Sequence, residues 1–121
     1  MFKIPFGKPM IGPEEKEAVM KVMNGSILVH GPVSVQFEEK FADYVGAKHA
    51  IAMFNGTTTL HAALAALGVG KDDEVIVPTL TYISTANVVL YQGAKLILCE
   101  CDPKTYCVTA ENLKPHITKK T

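Results

Sequence analysis

The turn near residue 56 constrains the fold more than any other part of the sequence. A short apolar run, residues 49–54, ends there in Asn-Gly-Thr-Thr-Thr, and an Ala/Leu-rich segment follows at once. This order predicts a strand that feeds directly into a helix. The start of such a helix has unpaired backbone N–H groups and the positive end of the helix dipole, and both favour an anion. The sequence therefore predicts that this turn holds a phosphate group.

The alternation of strands and helices continues along the chain. After a helix at about 58–67, the sequence predicts a strand at 74–77, a helix at 82–92 and a strand at 95–99. This order is typical of a βαβαβ unit with parallel strands. The predicted strands are continuous Ile/Val/Leu runs without alternation, as expected when both faces of a sheet are covered. We therefore expect an α/β fold with a mostly parallel sheet.

Two more helices are predicted before the turn. Pro13 is suited to the first position of one helix, which Asn24-Gly25 would end, and the other helix covers 33–45. We expect residues 1–32 to form an N-terminal arm, a helix and a loop. Residues 33–121 would form the unit that contains the predicted parallel strands.

Composition excludes several classes of function. Twelve Lys and Arg residues balance twelve Asp and Glu residues without a basic cluster, which argues against binding to nucleic acid or membranes. No segment has the roughly 20 apolar residues of a membrane span, and the N-terminus lacks a signal-peptide pattern. Three cysteines are an odd number with few other metal ligands nearby, so we expect reduced thiols rather than disulfides or a metal site. These features predict a cytoplasmic protein.

A series of short motifs runs through nearly the whole chain in a fixed order. The motifs are Gly31-Pro32, Phe41-Ala42-Asp43-Tyr44-Val45-Gly46, Asn55-Gly56-Thr57, Asp73-Glu74-Val75-Ile76-Val77-Pro78, Thr81-Tyr82-Ile83-Ser84-Thr85-Ala86-Asn87, Gly93-Ala94 and Asp102-Pro103. Each motif is weak by itself, but the ordered set is specific. It resembles the DegT/DnrJ/StrS family of sugar aminotransferases, which use pyridoxal 5′-phosphate (PLP). The resemblance implies a three-layer α/β/α fold, in which residues 33–121 form the N-terminal part of the larger, PLP-binding domain of fold-type I PLP-dependent transferases.

The resemblance also implies roles for individual residues. Gly56, Thr57 and Thr58 would form the phosphate cup, in which the N–H groups of the two threonines and a Thr hydroxyl hold the cofactor phosphate. Tyr82 would stack on the pyridine ring. Without the resemblance, a Thr acting as a helix N-cap and Tyr82 as a core side chain are the simpler interpretations.

Substrate contacts are expected elsewhere. The loop with Ile27 and His30 resembles the family segment near the sugar-nucleotide pocket. His61 lies within a predicted helix, and we expect it to be packed or at the surface rather than catalytic.

No lysine of the chain matches the lysine that forms a Schiff base with PLP in the family. We therefore assign no catalytic residue, expect that lysine beyond residue 121, and interpret the chain as the N-terminal part of a longer enzyme, inactive alone. The resemblance implies transfer of an amino group, with glutamate as the donor, to a keto group of a nucleotide-linked sugar by a homodimer. Two alternatives stay open: a sugar dehydratase of the same family, in which histidine replaces the lysine, and a non-catalytic α/β module that binds a phosphorylated ligand.

Overall fold

The computed structural model describes residues 4–5 and 7–121. The chain divides into two compact units, and the second begins at Met53. Part of the predicted N-terminal arm, residues 1–3 and 6, lies outside the described residues. The predicted boundary after residue 32 stays a prediction.

The first unit contains two helices where the sequence predicts them. Helix α1 covers Pro13–Met23, with proline in its first turn and Asn24 as its C-cap. Helix α2 covers Pro32–Val45 and ends at Gly46, whose φ of 68° is the left-handed conformation that glycine adopts without strain. Turn chemistry therefore fixes the length of both helices.

The second unit is built around two parallel strands. Its elements, in chain order, are α3 (Gly56–Ala66), β1 (Glu74–Pro78), α4 (Ser84–Tyr91), β2 (Lys95–Cys99), α5 (Ala110–Leu113) and a 3₁₀ turn (Lys114–His116). The strands pair from Glu74 opposite Lys95 to Pro78 opposite Cys99. Strand β1, helix α4 and strand β2 form the βαβ unit that the apolar runs predict.

The predicted strand at 49–54 is wrong. No residue of that segment belongs to a strand, and the two strands found in the described part of the chain pair only with each other. A strand needs a neighbouring backbone to receive its hydrogen bonds, which an apolar run alone does not supply. The N–H of Ala52 instead donates to the carboxylate of Glu38, at 2.8 Å. The predicted βαβαβ order is thereby reduced to βαβ.

A small apolar core holds the second unit together. Val77 of β1, Val89 of α4 and Ala94 are almost completely buried and pack against half-buried Leu64 of α3. Leu98 of β2 is 54% exposed, so the described residues do not cover both faces of the sheet as the apolar strands predict.

The βαβ unit also determines where a ligand can bind. Helix α4 begins shortly after β1 ends at Pro78, so its N-terminus lies at the carboxyl end of the strand. Open parallel sheets bind ligands at that edge. No helix among the described residues is both long and apolar enough to cross a membrane.

Candidate functional site

Asn55 organises the predicted phosphate turn. It has an extended conformation, with φ of −163° and ψ of 169°, and its Oδ1 accepts hydrogen bonds from the Thr58 N–H at 2.9 Å and the Thr58 hydroxyl at 3.1 Å. Its main-chain oxygen accepts from the N–H and the hydroxyl of Thr59, both at 3.2 Å. The N-cap is thus Asn55 and not a threonine, and α3 begins at Gly56, two residues earlier than predicted. Asparagine is a preferred N-cap, so the sequence carried this signal.

Two backbone N–H groups remain open at the start of α3. Those of Gly56 and Thr57 have no hydrogen-bond partner among the described residues, whereas that of Thr58 is bound to Asn55. A Cβ added at Gly56 would meet no heavy atom within 4 Å, so the space beside the turn is free. The open amides are therefore those of Gly56 and Thr57, and Thr58 supports the turn in this structure.

A hydrogen bond between two hydroxyls joins the starts of α3 and α4. The Thr57 hydroxyl donates to Ser84 Oγ at 2.9 Å. Ser84 is the first residue of α4 and is 6% exposed. The N-terminal ends of both helices therefore lie side by side, and their dipoles act on the same region. The motif that contains Tyr82 makes Ser84 a weaker candidate for the site than Tyr82 itself, and its hydrogen bond to Thr57 was not predicted.

Tyr82 lies in the turn before α4 and is 77% exposed. Tyr82 is therefore not part of the core that the described residues form. The ring lines an open pocket of about 640 Å³, within the range of roughly 300–1,000 Å³ that small-molecule sites have. The pocket is lined by Asn55, Gly56, Thr57, Thr59, Leu60, Tyr82, Ser84 and Thr85.

The pocket brings together three of the four predicted cofactor residues: Gly56, Thr57 and Tyr82. Thr58 is not part of the lining. No charged side chain of the described residues lines the pocket, so an anion there would be held by backbone N–H groups, hydroxyls and helix dipoles alone. The arrangement fits a phosphate next to an aromatic ring, which matches the two ends of PLP.

The predicted substrate residues lie in the first unit. Ile27 lines a different pocket of about 540 Å³ between α1 and α2. His30 Nε2 lies 3.2 Å from both carboxylate oxygens of Glu38. The hydrogen bond from Ala52 and then that from His30 lower the pKa of Glu38 below its ordinary value of 4.5. The roles of Ile27 and His30 in substrate binding stay predictions.

His61 lies within α3, as expected. Its ring packs edge-on against Tyr91 of α4, with ring centroids 5.6 Å apart. This contact is part of the packing between the two helices.

Comparisons with known proteins identify the family of the chain. The model of the DegT/DnrJ/EryC1/StrS aminotransferase family matches residues 9–121. A GDP-perosamine synthase from Caulobacter vibrioides is 47% identical over 120 residues, which are 98% of this chain and 32% of the relative. The chain therefore spans about a third of the length of this relative.

Solved structures give the same result. A Streptococcus pneumoniae protein described as a sugar aminotransferase, in its PLP form, is 28% identical with a TM-score of 0.93, over 99% of this chain and 31% of its own. An E. coli GDP-4-keto-6-deoxy-D-mannose-3-dehydratase with bound hydrated PLP is 26% identical with a TM-score of 0.91, over 100% of this chain and 33% of its own. These similarities confirm the predicted α/β class, the large domain of PLP-dependent transferases.

Proposed function

The chain belongs to the DegT/DnrJ/EryC1/StrS aminotransferase family, which is PLP-dependent, and from this premise we propose that its second unit holds the phosphate and one ring face of PLP. The observation that carries the proposal is the joint position of two open N–H groups, of Gly56 and Thr57, and the exposed Tyr82 ring on one pocket. Each feature alone is common. Together they match a ligand with a phosphate at one end and an aromatic ring at the other.

The residues of the pocket would have different roles in binding PLP. The N–H groups of Gly56 and Thr57 donate to phosphate oxygens, and the dipole of α3 favours the negative charge. Tyr82 covers one face of the ring, which fixes its plane and excludes water there. PLP itself, when bound, supplies an electron sink for chemistry at the carbon attached to an amino group.

We propose further that the protein transfers an amino group to a keto group of a nucleotide-linked sugar, with glutamate as donor, and works as a cytoplasmic homodimer. The GDP-perosamine synthase relative and the sugar aminotransferase neighbour support the substrate class. The reaction also needs an amine that binds the cofactor covalently and moves a proton. No lysine lines the pocket in the described part of the chain, so we propose that this lysine lies outside these 121 residues.

The structural similarity to the E. coli dehydratase supports a second candidate function, the dehydration of a nucleotide-linked sugar. In the alternative reaction the same pocket holds PLP, but a histidine takes the place of the lysine. The residue at that position in the complete enzyme decides between transfer and dehydration.

A binding experiment tests the cofactor proposal. Pyridoxine 5′-phosphate lacks the aldehyde of PLP, so its binding reports the pocket without covalent chemistry. We expect the chain to bind it more tightly than pyridoxine, Tyr82→Phe to keep the affinity, and Tyr82→Ala to lower it. Tyr44→Ala is a matched control, because Tyr44 is 89% exposed in the first unit. Equal affinity for the two ligands would contradict the phosphate cup.

A chimera tests the aminotransferase proposal. This chain would replace the matched 120 residues of the Caulobacter relative. We expect the chimera to bind PLP and to transfer the amino group of glutamate to the relative's sugar substrate, measured by mass spectrometry. A folded, soluble chimera that binds no PLP would contradict the proposal.

A further inference from the structure

Three threonine hydroxyls stand at the start of α3, and each donates its proton within the protein. Thr57 donates to Ser84 Oγ at 2.9 Å, Thr58 to Asn55 Oδ1 at 3.1 Å, and Thr59 to the main-chain oxygen of Asn55 at 3.2 Å. A hydroxyl has a single hydrogen. None of the three threonines therefore has a proton left for an anion, and the predicted contact between a Thr hydroxyl and the phosphate has no free donor here.

Ser84 is the hydroxyl that keeps an unused proton. Its oxygen accepts from Thr57, but its own hydrogen has no acceptor among the residues that the structure describes. The residue is 6% exposed and lines the pocket. A hydroxyl hydrogen that the protein leaves without an acceptor is available to water or to a ligand in the pocket. A ligand oxygen in the pocket would provide that acceptor.

We propose that Ser84 donates a hydrogen bond to the phosphate of the ligand, and that the Thr57 hydroxyl orients it by occupying its acceptor side. The inference rests on the proposed function, since it names a further residue of the same phosphate site. Ser84 opens α4, so its hydroxyl adds a donor from a second helix to the two open N–H groups of α3. Because the Thr57 hydroxyl donates to Ser84, only the Ser84 hydroxyl of these two residues can donate to a ligand in the pocket. Such a donor suits a phosphate oxygen, which accepts hydrogen bonds and donates none.

The test measures the affinity of the chain for pyridoxine 5′-phosphate, pyridoxine and inorganic phosphate by isothermal titration calorimetry. We expect Ser84→Ala to lower the affinity for pyridoxine 5′-phosphate about tenfold or more, the usual effect of losing a hydrogen bond to a charged group. Affinity for pyridoxine should stay unchanged. Thr57→Val should cause a smaller loss of the same kind, and Thr57→Ser should restore it.

Thr79→Ala is the matched control, since it removes a hydroxyl that does not line the pocket and that donates to Glu100 Oε2 at 3.4 Å. Its affinity for the phosphorylated ligand should equal that of the parent chain. If Ser84→Ala does not fold, Ser84→Cys nearly keeps the volume and substitutes a weak S–H donor, so it should show the same selective loss.

The outcomes separate this inference from the proposed function. If the parent chain prefers the phosphorylated ligand and folded Ser84→Ala keeps that preference, the role of Ser84 is wrong and the phosphate cup stands. If Ser84→Ala weakens both pyridoxine ligands equally, Ser84 supports only the packing of α4, and the inference is overturned. If the parent chain shows no preference for phosphate, the proposed function itself fails.

Discussion

Replacement of Asn55 should separate the stability of α3 from its affinity for an anion. In Asn55→Ala the Thr58 N–H and hydroxyl lose the acceptor that they share. The hydroxyl can turn to water, because this part of the turn is exposed, so the main loss is that of the N-cap, about 1 kcal/mol. For a unit of this size the expected decrease in melting temperature is roughly 4–8 °C.

Asn55→Asp should behave differently. A carboxylate accepts the same two hydrogen bonds and is favoured by the helix dipole, so stability should equal or slightly exceed that of the parent chain. The new charge would stand beside the open N–H groups of Gly56 and Thr57. Two unit charges about 6 Å apart repel each other by between about 0.7 and 3 kcal/mol at effective dielectric constants of about 80 to 20. We therefore expect a loss of affinity of about threefold or more, which added salt reduces.

Thermal unfolding followed by circular dichroism measures the first effect, and titration with pyridoxine 5′-phosphate the second. Asn24→Ala is a matched control, because Asn24 is a C-cap whose side chain makes no N-cap bond. The reasoning would be refuted if Asn55→Asp melted as low as Asn55→Ala. It would also be refuted if Asn55→Asp bound the phosphorylated ligand as tightly as the parent chain.

Three more predictions concern the fold. The hydrogen bond from Lys95, followed by that from Thr118, lowers the pKa of Glu74 below 4.5. The ionised carboxylate therefore stabilises the fold above that pH, and this contribution is lost as the pH falls through the lowered pKa. On acidification, the urea midpoint of Glu74→Gln should thus fall less steeply than that of the parent chain. Val89→Ala should lower the free energy of unfolding by about 2 kcal/mol, because the Val89 side chain is 1% exposed. Leu90→Ala in the same helix should lower it clearly less, because Leu90 is 57% exposed, and equal losses would contradict the assigned core. We expect the isolated chain to self-associate as its concentration rises, through strand edges that are unpaired among the described residues and through exposed apolar side chains. The melting and binding measurements therefore use concentrations at which analytical ultracentrifugation finds a monomer, and a chain that stays monomeric at every concentration would contradict this prediction.

The sequence predicts most accurately those structural features that depend on residues adjacent in the sequence. Pro13 and Gly46 mark helix ends through their own backbone preferences, and both ends lie where predicted. The strands at 74–77 and 95–99 are predicted almost to the residue, because a short continuous apolar run between two turns usually forms a buried strand in an α/β protein.

The N-cap Asn55 was missed although its signal is local, whereas two other misses depend on contacts between residues far apart in the sequence. The run at 49–54 has the composition of a strand, but strand formation requires a neighbour that composition cannot name. The Thr57 hydroxyl donates to Ser84, which is 27 residues away in the sequence. The motif locates the turn, whereas only the fold shows which of its donors are free.

The most direct test of the account follows the backbone amides during titration with pyridoxine 5′-phosphate by ¹H–¹⁵N NMR. We expect saturable shifts that are largest at the N–H groups of Gly56 and Thr57, with ring-current shifts around Tyr82, and much smaller shifts with pyridoxine. Saturable binding that leaves those two amides unmoved and shifts another region of the chain would contradict the central claim that the start of α3 holds the phosphate.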